Sequence, residues 1–347
     1  MPTPAKEADL HEAHAVWYVG DGGCAVRPAV LSKPQQGEVL IKALNSAISR
    51  GTEGLVLRGA VPETERHRMR APFQEGQFPF PVKYGYASVG TVIDGDAELA
   101  GKLVFSLFPH QDLYTLPSDA CVPVPASIPA ERATLAANLE TALNALWDGK
   151  PSPGDHICVV GGGVVGLLTA YVCNRIPGST VTLVDINPGR AEMASALGFR
   201  FSLPGDAPRD QDLVFHTSAT AAGLTTALSS AGDSASVIEM SWYGDLTVGV
   251  PLGADFHSRR IKLISSQVGT IPAERQARWT YRRRMELALS LLDDPRLDLL
   301  ISHKIPFEDA AVRVPEILNK ASDVLAAVIV YDQADNADAS LAENSGT

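Results

Sequence analysis

The chain has 347 residues, enough for about two domains with cores of their own, which excludes a peptide hormone or a disulfide mini-protein. Its 45% hydrophobic and 20% charged residues match a soluble globular protein and exclude a disordered or collagenous chain. With 29 Lys plus Arg against 40 Asp plus Glu the net charge is −11, which argues against nucleic-acid binding and against an anionic membrane surface.

The first residues, MPTPAKEADLHEAHAV, lack the apolar core of a secretory signal, and no apolar run reaches the ~18 residues that span a bilayer. A cytoplasmic location is the expectation. Four scattered cysteines, Cys24, Cys121, Cys158 and Cys173, contain no C-x-x-C pair, so they read as reduced thiols rather than a zinc ribbon or a disulfide framework.

Along the first ~145 residues, short apolar runs such as EVLIKAL, ASVGTVI and KLVFSLF are broken by Gly and Pro and read as β-strands. The charged stretch from Pro62 to Phe80 reads as a long surface loop. From about Gly154 the pattern changes. Strand-like HICVVG, TVTLVDI, DLVFHT, SASVIEM and IKLISS alternate with the helical VVGLLTAYVCNRI and RAEMASALG, which predicts a parallel sheet with helices on both faces. RMELALSLL, IPFEDAAVRVPEILNKA and LAAVIVYD add helices and a closing strand, and 333–347 reads as a disordered tail.

The sharpest local signal is the run from His156 through Gly161, Gly163, Val164, Val165 and Gly166, an apolar strand entering G-x-G-x-x-G and then a helix. Gly161 allows the tight turn, Gly163 the close approach of a pyrophosphate, and Gly166 helix-on-strand packing, with phosphates at the helix N-terminus. A second strand ends in Asp185, nineteen residues beyond Gly166, where a carboxylate accepts from ribose hydroxyls and repels a 2′-phosphate. NAD is therefore expected, with NADP as the alternative. Arg190 has two readings, a phosphate contact and an ordinary helix-surface arginine. His216, Thr217 and Ser218 end a strand at the carboxyl edge of the sheet, where doubly wound folds bind ligands, and Ser265, Ser266 and Gln267 end another. Strand-end capping is the alternative for the latter three.

A β-rich half followed by a dinucleotide fold and a return segment resembles the medium-chain dehydrogenase/reductase superfamily. The segment Gly51-Thr52-Glu53 to Gly59 resembles the family's C-G-T-D-x-h-x-x-G. Pro81 to Gly90 resembles its P-x-x-x-G-H-E-x-x-G, and Glu140 to Ala145 its E-P-h-A-x-x-x-A helix. SRGTE, FPVKYGY and SSQVGT with the following RRR are similar to a zinc-lacking branch of bacteriochlorophyllide dehydrogenase-like oxidoreductases. The resemblance implies an α/β fold: a GroES-like catalytic domain over 1–148, completed by 300–332, and a Rossmann dinucleotide-binding domain over 149–299. It implies a homodimer or homotetramer as well, although no decisive apolar stripe marks the interface.

The departures from the family carry the mechanism. Where zinc-dependent members have Cys, His and Glu, this chain has Arg50, Tyr86 and Ala87, leaving Glu140 as the single matching oxygen ligand. An arginine stays protonated and cannot ligate, and 97–127 holds only Cys121 where the family's structural-zinc lobe has four closely spaced cysteines, so no metal is expected at either the catalytic or the structural position. Arg50 has two readings: an electrostatic substitute for the metal, and a structural partner of Glu53, Glu140 or a pyrophosphate. Tyr86 is a proton donor if a cation such as Arg50 or Lys83 lowers its pKa, or else a packed aromatic. Thr52 matches the family's proton-relaying hydroxyl or serves the turn. The isolated His110, His257 and His303 read as hydrogen-bonded structural residues, and Arg282–Arg284 as a solvated, salt-bridged helix face. Spacing alone supports no Ser-His-acid arrangement.

The expected function is an NAD(H)-dependent oxidoreductase that interconverts a secondary alcohol and a ketone without catalytic zinc, its small-molecule substrate held between the two domains. An NAD(P)H-dependent enone or quinone reductase and a non-catalytic dinucleotide-binding protein are the alternatives.

Overall fold

The computed structural model describes residues 11–318 and 323–332; the tail expected over 333–347 lies outside the described residues. The chain divides into two compact units, one of residues 1–59, 64–134 and 303–347 and the other of 60–63 and 135–302.

The first unit is mainly β. In chain order it contains β1 (His11–Gly20), β2 (Gly23–Leu31), β3 (Glu38–Ile48), helix α1 (Arg50–Leu57), the short β4 (Glu75–Gly76) and β5 (Val82–Lys83), β6 (Ser88–Gly95), β7 (Leu103–Ser106), β8 (Leu113–Pro117), β9 (Val122–Pro123) and α2 (Ala130–Ala133). β1 and β2 pair antiparallel around the turn at Gly20–Gly23, and β5 and β4 extend that sheet on the other side of β1. Along β1, Ala13 and Ala15 are buried on one face and Val16 and Tyr18 on the other. The Pro62 to Phe80 segment is mostly exposed, as a charged loop should be, yet it buries Gln74 and Phe78.

The second unit begins with α3 (Ala136–Gly149) and continues as β10 (His156–Val160), α4 (Val164–Cys173), β11 (Thr180–Val184), α5 (Arg190–Leu197), β12 (Arg200–Ser202), β13 (Gln211–His216), α6 (Ala221–Ser230), β14 (Ala231–Glu239), β15 (Lys262–Ser265), α7 (Ala273–Gln276) and α8 (Tyr281–Leu291). Among the described residues the strands form a six-stranded sheet in the order β12-β11-β10-β13-β14-β15, with every pairing parallel. The order reverses at β10. Strands covered on both faces need apolar residues throughout, and the buried run Ile157, Cys158, Val159 and Val160 supplies them. Residues at the carboxyl ends of β10, β11 and β13 therefore share one edge, the ligand-binding edge of such sheets.

β16 (Ile301–Pro306), α9 (Ala310–Leu318) and β17 (Ala326–Val330) return the chain to the first unit. β17 pairs antiparallel with β3, completing a sheet in the order β16-β17-β3-β6-β7-β9, with β8 also on β3.

Candidate active site

The glycine turn lies between β10 and α4. Gly161 has φ +114°, a left-handed backbone that L side chains rarely adopt, and a Cβ there would lie 2.7 Å from the Ser218 amide nitrogen and from the Thr217 hydroxyl. A Cβ on Gly166 would be driven into the Gly161 carbonyl oxygen. Gly163, at the N-cap of α4, faces open space. The first amides of a helix have no partner inside it, so those of Val164, Val165 and Gly166 are the donors that a pyrophosphate needs. The turn has the shape of a cradle whose walls admit no side chain and whose mouth is clear.

Asp185 follows β11 and is already engaged with the backbone. Its Oδ2 accepts from the Gly162 amide at 2.5 Å and its Oδ1 from the Asn187 amide at 2.8 Å. These bonds aim the carboxylate and leave lone pairs for hydroxyl donors. Arg190 opens α5, and its Cγ comes within 3.1 Å of where a Gly162 Cβ would stand, so its stem covers this part of the turn. The side chains of Thr217, Ser218 and Ser266 turn inward. Thr217 Oγ1 donates to the Gly161 carbonyl at 2.9 Å, Ser218 Oγ bonds His216 Nε2 at 2.7 Å, and Ser266 Oγ donates to Asp148 at 2.6 Å.

In the first unit, α1 positions Arg50, Thr52 and Glu53. Arg50 pairs with neither expected carboxylate; its guanidinium donates to the carbonyls of Ile317 at 3.2 Å and of Val324, tying α1 to α9 and the segment after it. Tyr86 Oη donates to Ser49 Oγ at 2.5 Å and also bonds Thr52. Burial pushes its phenol up to about 12 against the downward pull of these two hydroxyls. The expected lowering by a cation is therefore corrected. Lys83 does not serve Tyr86, because its buried ammonium is bound by Gln111 at 2.7 Å and by Glu75.

Glu53 is the electrostatic centre of this unit. It is 0% exposed; Oε1 accepts from the Ser49 amide at 2.6 Å, and Oε2 from Tyr18 at 2.5 Å and His110 Nε2 at 3.0 Å. Burial alone would raise its pKa, but the charge and hydrogen bond of His110, with the bonds from Tyr18 and Ser49, outweigh it and hold the carboxyl below its ordinary value. On its other side His110 Nδ1 meets Ser46, which meets Tyr331 at 2.8 Å. His110 is thus a structural histidine, as an isolated one should be, within a buried chain of partners that spacing could not reveal.

Glu140 belongs to the second unit, on α3. Arg284, expected on a solvated face, is 1% exposed and donates to Glu140 at 3.0 Å, Asn144 at 2.5 Å and the Val268 carbonyl at 2.7 Å. Only its neighbours match the expectation: Arg282 pairs with exposed Glu286 and Arg283 lies over Trp279. The cause is helical phase, since α8 turns Arg284, Met285, Ala288 and Leu289 inward together. Burial raises the Glu140 pKa, and Arg284 offsets part of that.

The four positions that the resemblance matches to zinc ligands thus hold an arginine bound to carbonyls, a protonated phenol, an alanine and a carboxylate already paired with arginine. This donor set does not fit zinc. Among the described residues no group of three or more His, Cys, Asp or Glu is placed to hold a metal ion. Cys121, Cys158 and Cys173 are buried free thiols, and burial pushes Cys158 up to about 12. No helix of the described residues is long and apolar enough to cross a membrane.

Known proteins with the same architecture are numerous. L-Idonate 5-dehydrogenase of Escherichia coli K-12 superposes with a TM-score of 0.76 at 15% identity, over 93% of this chain and 99% of that one. The 2R,3R-butanediol dehydrogenase of Bacillus subtilis gives 0.74 at 16% identity, over 92% and 100%. The chain shares its fold with these dehydrogenases. A protein of E. coli CFT073 described as a short chain alcohol dehydrogenase, solved with NADH, gives 0.72 at 15% identity over 92% and 99%. D-Xylulose reductase A of Aspergillus oryzae is 32% identical over 106 residues, a match that spans 29% of this chain and 30% of that protein. No family model matches the chain.

Proposed function

We propose that the chain is an oxidoreductase that uses a nicotinamide dinucleotide to interconvert a secondary alcohol and a ketone, without catalytic zinc. The glycine turn carries this reading: Gly161 in a left-handed conformation and Gly166 with no room for a Cβ make a cradle before a ten-residue helix, with Asp185 aimed by Gly162. The backbone of Gly163, Val164, Val165 and Gly166 would hold the pyrophosphate, and Asp185 beside Arg190 the adenosine ribose, with a free 2′-hydroxyl preferred because a phosphate there meets the carboxylate. When bound, the nicotinamide donates or accepts the hydride. The polyol and alcohol dehydrogenases among the relatives support CH–OH chemistry.

Proton handling falls to the first unit. The Tyr86 phenol keeps its proton at neutral pH, and Ser49 and Thr52 hold its oxygen, so it suits donation to a substrate oxygen in the reductive direction. Thr52 is the exchange partner for that proton. Arg50 contributes a fixed positive charge at the start of α1, held by the Ile317 and Val324 carbonyls. Glu140, paired with Arg284, fits a charge-balancing role.

Fluorescence titration with NADH and NADPH, followed by turnover assays on polyols, secondary alcohols and enones, tests the proposal. Tighter binding of NADH and oxidation of an alcohol are expected. Binding of neither dinucleotide refutes it, and turnover of enones alone transfers the chain to the enone and quinone reductases, which the donor set also favours. Stoichiometric zinc by elemental analysis would overturn the metal-free part.

A further inference from the structure

His216 and Glu239, which the motif does not include, form a hydrogen-bonded chain under the glycine turn. They stand side by side in register on β13 and β14, and the imidazole is fully buried. His216 Nδ1 meets Glu239 Oε2 at 2.7 Å, and His216 Nε2 meets Ser218 Oγ at 2.7 Å. Glu239 also accepts from the Ser241 amide at 2.8 Å and from Tyr243 at 3.2 Å. Burial pushes its pKa up, but the bonds and charge of His216, with those of Ser241, bring it below the ordinary value.

An ionised carboxylate only accepts, so Nδ1 carries a proton and donates to Glu239, while Nε2 and the Ser218 hydroxyl share a hydrogen bond. Thr220 Oγ1 accepts from the Gly223 amide at 3.0 Å and shares a hydrogen bond with Ser218 Oγ at 3.0 Å. The bonds form one continuous chain from Thr220 through Ser218 and His216 to Glu239. Serine, histidine and carboxylate in this order resemble a nucleophilic triad, but a Cβ on Gly223 would stand 2.0 Å from Ser218 Oγ, so that hydroxyl lies against the first turn of α6. The arrangement is a lock rather than a nucleophile.

The lock secures a strained turn. Ala219 sits at φ +51°, a region unfavourable to residues with a Cβ, and its amide is held by Ser241 Oγ at 3.1 Å. Just before it, Thr217 places its hydroxyl between the two outer glycines: a Cβ on Gly161 or on Gly166 would each lie 2.7 Å from Thr217 Oγ1. We propose that His216 and Glu239 are positioning residues of the dinucleotide site, which fix the Thr217–Ser218 turn so that the Thr217 hydroxyl clamps the glycine cradle in its binding shape. They have this role only if the cradle binds a dinucleotide, as proposed above.

The test is NADH titration of the full-length chain, read by fluorescence. Thr217→Val keeps the shape and loses the donor, and should weaken NADH binding about tenfold, as leaving the Gly161 carbonyl without its partner implies. Thr217→Ser restores the donor and should bind within about threefold of the parent. His216→Phe keeps a ring but can bond neither Ser218 nor Glu239, and should weaken binding to a similar degree. Nitrogen-15 spectra of the parent should show His216 protonated on Nδ1, with its resonance moving when NADH is added. Parent-like affinity of Thr217→Val, no recovery in Thr217→Ser, or protonation on Nε2 alone overturns the proposal while leaving the dinucleotide reading intact. If the parent binds neither NADH nor NADPH, both fall. Should His216→Phe fail to fold, the Thr217 pair and the spectrum decide.

Discussion

Replacing Arg284 with methionine removes the single cation facing Glu140 among the described ion pairs of that carboxylate. The guanidinium makes three bonds, to Glu140, Asn144 and the Val268 carbonyl, and both charged partners are almost wholly shielded from water. Methionine fills a similar volume, so the main loss is charge compensation. Breaking a buried pair from one side costs about 3–5 kcal/mol, because the remaining carboxylate must stay ionised without a partner or take up a proton. For a unit of this size each kcal/mol moves Tm by roughly 2–4 °C, so a fall of roughly 6–20 °C is expected. The pH dependence has a definite sign. Burial already raises the Glu140 pKa from 4.5, and without Arg284 it rises further, so the deficit is smallest below the unfolded value and grows as pH rises through the folded one. Urea denaturation and thermal melts at several pH values would measure it. Glu140→Met combined with Arg284→Met should recover most of the loss, since an apolar pair of similar volume replaces a buried ion pair at little cost. A melting point of Arg284→Met within 2 °C of the parent at pH 8, or no recovery in the double variant, refutes the reasoning.

Gly166→Ala should abolish measurable NADH binding, because its Cβ meets the Gly161 carbonyl and the Thr217 hydroxyl and the turn must open; isothermal titration would check this. Gly223→Ala should destabilise the protein by about 1–3 kcal/mol in urea denaturation, since the added methyl overlaps Ser218 Oγ and lies 2.9 Å from His216 Nε2. Glu53, held below its ordinary 4.5 despite burial, contributes stability that is present above pH 4.5 and lost as pH falls through its folded value. Acid denaturation followed by circular dichroism should therefore show a shallower loss in Glu53→Gln, which starts from a lower plateau.

What the sequence determined by itself is whatever depends on neighbours along the chain. Gly161 and Gly166 were legible because a left-handed turn and a close helix approach demand glycine locally, and Asp185 because a βαβ unit fixes its distance from the turn. Alternating apolar strands and helices announced the parallel sheet for the same reason. That Arg50 has no lone pair to offer a metal was equally plain, since the residue type alone decides it. Tertiary structure alone decided the partners. Glu53 meets His110 across 57 residues of chain, Glu140 meets Arg284 across 144, and Ser46 meets Tyr331 across 285. Nothing in the spacing predicts such pairs, because they depend on which strands lie side by side and on the phase of each helix. Arg284 shows this best: in a run of three arginines the charge pattern favours solvent for all, and the rotation of α8 buries the one that meets a carboxylate. His216 shows it again, since only the parallel register of β13 with β14 brings Glu239 beside it and turns an ordinary strand end into the support of the glycine cradle.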